Sequence, residues 1–392
     1  MVICIPLSLA NSNNSKGYGA NKTIDNIAEE VVELYVKKYI LSSICCFGII
    51  GNILNLLVLT RRSLQNRMGN LERSANIGLC SMAVSDLFLC CILLPEAWID
   101  QKQFSFGYYS FELCYKLYHN TLVNVFILTG TLLIVYIALQ RYVAILQPIR
   151  ARIVVRTKTS IVLVSLIWFM GIVLNIPRLF YEVANSMECV GNFSVFYLAE
   201  GFMKKHGVLS LAYEWSFSLF GIFAPLIILL YCNVHLIRAL QTSTKMRGQF
   251  RNDNNRKERE STRRVTLTLV VIVISFIVLV VPTEIMKLLK EIGTQRRMTP
   301  GYNMLLAFAN VGQSVNFAFN FILYCFVNPN FRNTLKLLLL PACLRKPTAI
   351  LEESGETVKL TTVHFTNSTK CEVKEEKAAL KANLKNNIKY ER

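Results

Sequence analysis

Seven apolar runs, each about the length a helix needs to cross a bilayer core, are separated by short charged connectors. They are approximately Tyr39–Leu59, Ile77–Pro95, Leu117–Leu139, Ile161–Phe180, Leu209–Ile237, Val265–Leu289 and Leu305–Val327. In hydrocarbon every backbone N–H and C=O must be satisfied within the segment, so runs of this length are expected to be helices. Each contains Gly, Pro, Ser, Asn or Cys, the residues that let membrane helices approach one another. The expected fold is an all-α membrane protein: a seven-transmembrane helix bundle with a short amphipathic eighth helix. With 53% hydrophobic and 17% charged residues, the chain is neither an ordinary soluble enzyme nor disordered.

The formal charge of +18 fits either nucleic acid or basic cytoplasmic loops, and its distribution decides for the loops. Arg61, Arg62, Arg67 and Arg73 occupy the first connector, Arg141, Arg150, Arg152, Arg156 and Lys158 the third. A longer basic series from Arg238 to Arg264 occupies the fifth. The positive-inside rule then puts the N-terminus outside and the C-terminus in the cytoplasm, with no nucleic-acid partner. The expected organisation is an extracellular tail over 1–38, the bundle with its eighth helix over 39–340, and a cytoplasmic tail over 341–392. Sequons at Asn13, Asn21 and Asn192 fall on outside segments and are candidate glycosylation sites. Of twelve cysteines, Cys4, Cys114 and Cys189 lie outside, where disulfides persist. A Cys114–Cys189 bridge would pin the loop after the fourth span over the mouth of the bundle. Cys343, after the amphipathic stretch, is a candidate for acylation and a membrane-lipid anchor.

Ionisable groups at membrane depth are functional candidates because their burial is costly. Asp86 lies mid-span in the second run, with Asn52, Asn316 and Asn320 at similar depth. The four can satisfy one another as a registry network or as a conformational switch. Glu284, one turn beyond Pro282, is expected to face an outside cavity. Arg141 closes the third run at the inside face. The four histidines are scattered, and no nucleophile, metal set or phosphate-cradling loop occurs, so no enzyme activity, cofactor or metal is expected.

These residues together resemble the rhodopsin-like (class A) G-protein-coupled receptors over about Tyr39–Leu340. The motifs fall one per helix: Gly51-Asn52, Ser85-Asp86-Leu87, Gln140-Arg141-Tyr142, Trp168, Pro225, and Phe276 with Pro282. Asn320-Phe321-Ile322-Leu323-Tyr324 and Asn328-Pro329-Asn330-Phe331-Arg332 complete the set. The resemblance implies a switch built on Arg141, Gln140, Tyr142, Asp86, Asn52, Asn316, Asn320, Tyr324, Pro282 and Phe276. An outside ligand would swing the sixth helix outward below Pro282 and expose Arg141 to a heterotrimeric G protein.

Several departures concern the switch. Gln140 replaces the family's acidic residue, and Thr262 stands where the sixth helix usually carries another acid, so Arg141 is expected to lack its common resting ion pairs. Val280 replaces a tryptophan, Gly130 a serine of the sodium site, and Phe321 a proline, so the seventh helix is expected to lose its kink. Tyr231 lies two residues short of the usual fifth-helix tyrosine, where Asn233 stands. Cys114 lies 27 residues before Arg141, two more than the family norm.

Val123 occupies the position at which amine receptors carry an aspartate, and no lysine lies between Leu305 and Val327 to hold retinal. The mouth acids Glu96, Asp100, Glu182, Glu188, Glu214 and Glu284 suit a basic peptide, and the overall pattern is similar to invertebrate neuropeptide receptors of the FMRFamide type. The expected ligand contacts are Glu284, Asn124, Glu214 and Glu188, the alternative for Glu284 being a pair with Lys287 or Lys290. Phosphorylation of Ser354, Thr357, Thr361, Thr362, Thr366, Ser368 and Thr369 would make the tail readable by arrestin. The alternatives are a receptor for a non-peptide small molecule, or a transporter or channel, which would predict internal repeats and several midplane charges. The sequence has no repeat and a single buried aspartate.

Overall fold

A computed structural model describes residues 31–32, 34–65, 69–99, 105–106, 110–147, 149–151, 155–189, 193–245, 270–271, 273–292, 300–327, 329–339, 349–354, 357–363 and 373–375. The architecture is the expected helical bundle. The first helix, Ser42–Leu59, continues a π turn at Val36–Leu41, and the second covers Asn70–Leu93. The third runs over Phe111–Leu146 and the fourth over Thr157–Val173, followed by a 3₁₀ turn at Ile176–Phe180. The fifth comprises Gly207–Ser218, a π turn at Leu219–Phe223 and Ala224–Lys245. The sixth is described over 273–279 and Val281–Ile292, and the seventh over Pro300–Ala318 and Asn320–Val327.

The third helix is the axis of the bundle. Leu113, Leu128, Leu133, Ile137 and Ala138 are almost wholly buried along it, whereas the fourth leaves Ile161, Leu166, Phe169 and Ile172 on the outer, lipid-compatible face. Close approach is obtained with glycine. A Cβ on Gly171 would collide with the Thr129 hydroxyl, and one on Gly48 would lie 2.6 Å from Cys90 Sγ and 2.9 Å from Ala318 Cβ. Polar contacts then set registry. Trp168 Nε1 donates to Ser81 Oγ at 2.7 Å, and Ser85 Oγ donates to the Phe126 carbonyl at 3.0 Å. Such bonds contribute about 0.6 kcal/mol each between membrane helices, too little to hold the bundle but enough to select one rotation of each helix.

The seventh helix corrects an expectation. Its two parts, Met304–Ala318 and Asn320–Phe326, are bent by 49° although residue 321 is phenylalanine. The bend has another cause. Asn52 Nδ2 donates to the Phe317 carbonyl at 3.1 Å, the acceptor four residues before Phe321. Ile322 N–H closes a tight turn on Phe319 O at 3.0 Å, and Asn320 Nδ2 is held by Asp86 Oδ2 at 2.6 Å. A side chain from the first helix thus enters the hydrogen-bond ladder of the seventh, which is an established cause of kinks. Phe321→Pro is therefore expected to change stability by about 1 kcal/mol or less, against ~3 kcal/mol for proline inside a straight helix. The melting temperature of the purified variant checks this; a drop matching the larger figure would mean the ladder is intact at that turn.

The loop between the fourth and fifth helices folds as a hairpin, β2 (Glu182–Cys189) with β3 (Phe193–Glu200). With β1 (Ser105–Phe106) it forms an antiparallel sheet in the order β1-β3-β2. Register pairs Glu182 with Glu200 and Cys189 with Phe193.

Contacts divide the chain into two units, Met1–Phe331 and Arg332–Arg392. The eighth helix, Pro329–Leu339, spans this division, and its apolar Phe331, Leu335 and Leu338 recur at the helical period. In the second unit β4 (Ala349–Ser354), β5 (Thr357–Val363) and β6 (Val373–Glu375) form an antiparallel sheet.

Candidate functional site

At the end of the bundle capped by the β2–β3 hairpin lies a cavity of about 170 Å³. The π turn that leads into the first helix and the second, third, sixth and seventh helices all contribute to its wall. Its polar groups are Lys37, Glu96, His119, Asn120, Asn124, Lys287, Asn310, Gln313 and Ser314, over a floor that includes Leu89, Ile127 and Phe317.

Two ion pairs flank it. On one side Lys37 Nζ lies 3.5 Å from Glu96 Oε1, and His119 Nε2 lies 3.8 Å from the other oxygen of Glu96. On the other, Lys287 Nζ and Gln313 Nε2 each donate to Glu284 Oε1 at 2.8 Å. Asn124 lines the cavity as expected, donating to the Asn120 carbonyl and side-chain oxygens at 2.7 and 2.9 Å.

Among the described residues the other expected acids do not gather there. Glu284 is buried beneath Lys287 and borders a second, much smaller cavity between Ile127, Phe276 and Val280, so it is not open to the larger one. The salt bridge, one turn along the same helix, explains the burial: a carboxylate below the rim needs a counter-charge. Glu214 belongs to an internal clamp. Arg178 Nη2 donates to its Oε2 at 2.8 Å, Tyr181 OH to its Oε1 at 2.9 Å, and Ser210 Oγ to Tyr181 OH at 3.0 Å. The Arg178 guanidinium also lies over the rings of Phe217 and Tyr213, at 4.6 and 5.4 Å. Burial pushes the Tyr181 phenol up, which keeps it a donor to Glu214. Glu188 is exposed on the hairpin, and Glu182 pairs with Lys204 at 2.8 Å.

Midway along the bundle, Asp86, Asn52, Asn316 and Asn320 are all buried. They do not close into one ring. Asp86 takes Asn320, whereas Asn52 takes the Phe317 carbonyl and accepts from Asn55 Nδ2 at 3.4 Å. Beside Asp86, Gly130 leaves room: a Cβ there would sit 3.8 Å from Ser85 Oγ and 4.0 Å from Asp86 Oδ1. Among the described residues no cluster of three metal-ligating side chains occurs.

At the opposite end, Arg141 is 6% exposed, and it has no ion pair or hydrogen bond among the described residues. Gln140 is turned away from it into a cage of hydroxyls. Its Nε2 lies 2.9 Å from Ser74 Oγ and 3.2 Å from Ser160 Oγ, and it also donates to Tyr136 OH. The second, third and fourth helices are thereby joined. Tyr142 meets Tyr231 and His235 at ring distances of 5.9 and 6.0 Å. Asn233, not Tyr231, is the buried member of that stretch. Tyr324 is buried against Phe331 at 5.7 Å, its hydroxyl without a partner. Phe276 is buried and Pro282 exposed on the sixth helix.

Cys114 is a free, half-buried thiol. The Cys189 side chain, Asn13, Asn21, Asn192, Asp100, Thr262 and Cys343 lie outside the described residues. Sequence reasoning gave no site role to Lys37, His119, Gln313 or Arg178; Lys287 entered it as one alternative partner of Glu284, and that pairing is the one observed. Arg178 and His119 carried a usable signal, being ionisable residues inside apolar runs.

The family model for the 7 transmembrane receptor (rhodopsin family) matches residues 51–324. A probable G-protein coupled receptor of Caenorhabditis elegans is 26% identical over 336 residues, covering 82% of this chain and 71% of its own length. The B1 bradykinin receptor of Homo sapiens is 27% identical over 338 residues, covering 83% of this chain and 89% of its own. That of Macaca mulatta is 26% identical over the same length.

Proposed function

Because the chain belongs to the rhodopsin family of seven-transmembrane receptors, we propose that it binds an extracellular peptide and activates a heterotrimeric G protein by outward movement of its sixth helix. Family membership makes it a G-protein-coupled receptor rather than an enzyme, and a multi-pass protein of the plasma membrane. A ligand and a G protein are its partners. The observation that carries the peptide reading is the polar cavity at the hairpin end, whose wall draws on five helices, including the π turn at Val36–Leu41. An occupant there touches elements that must shift relative to one another. The likeness to receptors for bradykinin, a peptide, supports the same class.

The cavity is smaller than a typical drug-sized site of about 300–1,000 Å³, so it accepts the tip of a ligand while the rest lies against the hairpin. Asn124 is the tip contact among the sequence candidates, and Glu188 is available on the exposed strand. Thr283 Oγ1 donates to the Ala309 carbonyl at 2.8 Å, tying the sixth helix to the seventh just below. Moving such a bundle from 1:99 to 99:1 takes about 5.5 kcal/mol of differential affinity, which a few ligand residues can supply.

In this reading residues 1–38 are extracellular, 39–340 form the signalling bundle and 341–392 a cytoplasmic tail read by arrestin after phosphorylation. Membrane lipid meets the eighth helix and an acyl chain on Cys343. Glycans sit on Asn13, Asn21 and Asn192. Cys114, whose thiol is free in this structure, would close a bridge to Cys189 on oxidation and hold the hairpin; its support is that β2, which ends at Cys189, packs on the third helix, which carries Cys114. Peptide mapping without reductant checks the bridge.

The function is tested by G-protein activation in cells expressing the chain, challenged with a diverse peptide library and a matched set of small non-peptide ligands. Peptide hits whose potency falls about tenfold or more in Asn124→Ala, at unchanged surface expression, are expected. Hits confined to the non-peptide set would overturn the peptide reading.

A further inference from the structure

The two flanking ion pairs share an asymmetry. In the Lys287–Glu284 pair the lysine side chain is 36% exposed and the glutamate 6%; in the Lys37–Glu96 pair the values are 26% and 15%. Lys287 lines the cavity whereas Glu284 does not. On the sixth-helix side an incoming group therefore meets the Lys287 ammonium first, with Glu284 behind it, whereas on the other side Lys37 and Glu96 both line the cavity. His119, on the same wall as Lys37, adds a buried Nε2 that has no hydrogen bond among the described residues and lies 3.8 Å from Glu96 Oε2.

Resting on the reading of this cavity as the ligand site, we infer that the end of the ligand entering it carries a carboxylate, which engages Lys287. This reverses the charge sense expected from the acids in the sequence. A cationic ligand group could reach Glu284 only by displacing Lys287 from a 2.8 Å contact, and would itself approach two lysines. An anion meets the Lys287 ammonium directly from the cavity and competes with Glu284 for it. By drawing Lys287 toward the cavity it also weakens the hold on Glu284, leaving a buried carboxylate to Gln313 alone; the strain falls on the sixth helix one turn from Pro282. Recognition and the activating step then share one residue. The carboxylate belongs either to a free C-terminus or to an acidic side chain.

Thermal stability of the purified full-length receptor decides the point without an identified agonist. The probes are N-acetyl-phenylalanine, its primary amide, N-acetyl-aspartic acid α-amide and N-acetyl-arginine amide. At least one carboxylate probe is expected to raise the melting temperature, with no effect of the phenylalanine amide or the arginine probe. N-acetyl-phenylalanine acting alone identifies a terminal carboxylate, and the aspartyl probe acting alone a side chain.

Loss of a charge-assisted hydrogen bond weakens binding about tenfold or more. That loss is expected in the double variant Lys287→Met with Glu284→Gln, which leaves no unpaired buried charge and so keeps the fold. Glu284→Gln alone releases Lys287 and is expected to tighten carboxylate binding. Equal responses to acid and amide, stabilisation by the arginine probe only, or weaker carboxylate binding in Glu284→Gln would each overturn the inference. Failure of every peptide pool to activate the receptor would remove the peptide reading and leave this comparison standing.

Discussion

Glu214→Ala is expected to remove most of the receptor from the cell surface. Arg178 and Glu214 are 9% and 12% exposed and meet at 2.8 Å. Without the carboxylate, a guanidinium whose Nε already lacks a partner is left buried against Phe217 and Tyr213. Tyr181 OH, which begins the hairpin, loses its acceptor at the same time. Removing one member of a buried pair costs about 3–5 kcal/mol, a large share of the 5–15 kcal/mol typical of a folded protein. The cost comes from the stranded charge and not from the lost attraction. Arg178→Met combined with Glu214→Gln should therefore recover most of the loss, because the introduced amide oxygen still accepts from Tyr181. Surface labelling and melting temperature of the singles and the double form the cycle. A double variant as poor as Glu214→Ala would show that the clamp acts through specific geometry and not through charge compensation.

The second large effect concerns signalling without ligand. Arg141 has no latch among the described residues, since the position that could hold an adjacent acid is Gln140, and Gln140 is committed to Ser74, Ser160 and Tyr136. Among the described residues the hydrogen bonds at this end thus hold Gln140 and not Arg141, on which Glu72 acts only through space, and G-protein output above that of empty vector is expected. Arg141→Ala should reduce it to the vector level by removing the group offered to the G protein. Gln140→Asp should lower it about tenfold, the equivalent of a single 1.4 kcal/mol interaction, by giving the guanidinium a resting partner. Output equal to empty vector in the parent chain, together with no change in Gln140→Asp, would discard this account.

Much of the frame was legible in the residues because it depends on one-dimensional quantities. The length of an apolar run, the sign of its connectors and the spacing of Asp86, Arg141 and Asn320 along successive helices need no knowledge of packing. That Arg141 has no ion pair among the described residues was legible in part, since neither neighbour in sequence carries an acid. The seventh-helix bend was misread because proline was treated as the sole source of a kink. Asn52 supplies it from the first helix, and no property of residue 321 records that. Two of the mouth acids, Glu284 and Glu214, were misread for a related reason. A glutamate in sequence is a negative charge, but whether it reaches a ligand depends on which cation stands in front of it. Lys287 and Arg178 had already claimed Glu284 and Glu214.

What the chain's order of residues determined alone was a membrane bundle of seven helices with a basic face, because solvation in hydrocarbon acts on each segment separately. What only the folded arrangement decided was the polarity presented by the cavity, the partner of Gln140 and the origin of the bend at Phe319. Each depends on side chains from different helices meeting at hydrogen-bond distance, and that distance is set by how the helices rotate and close on one another.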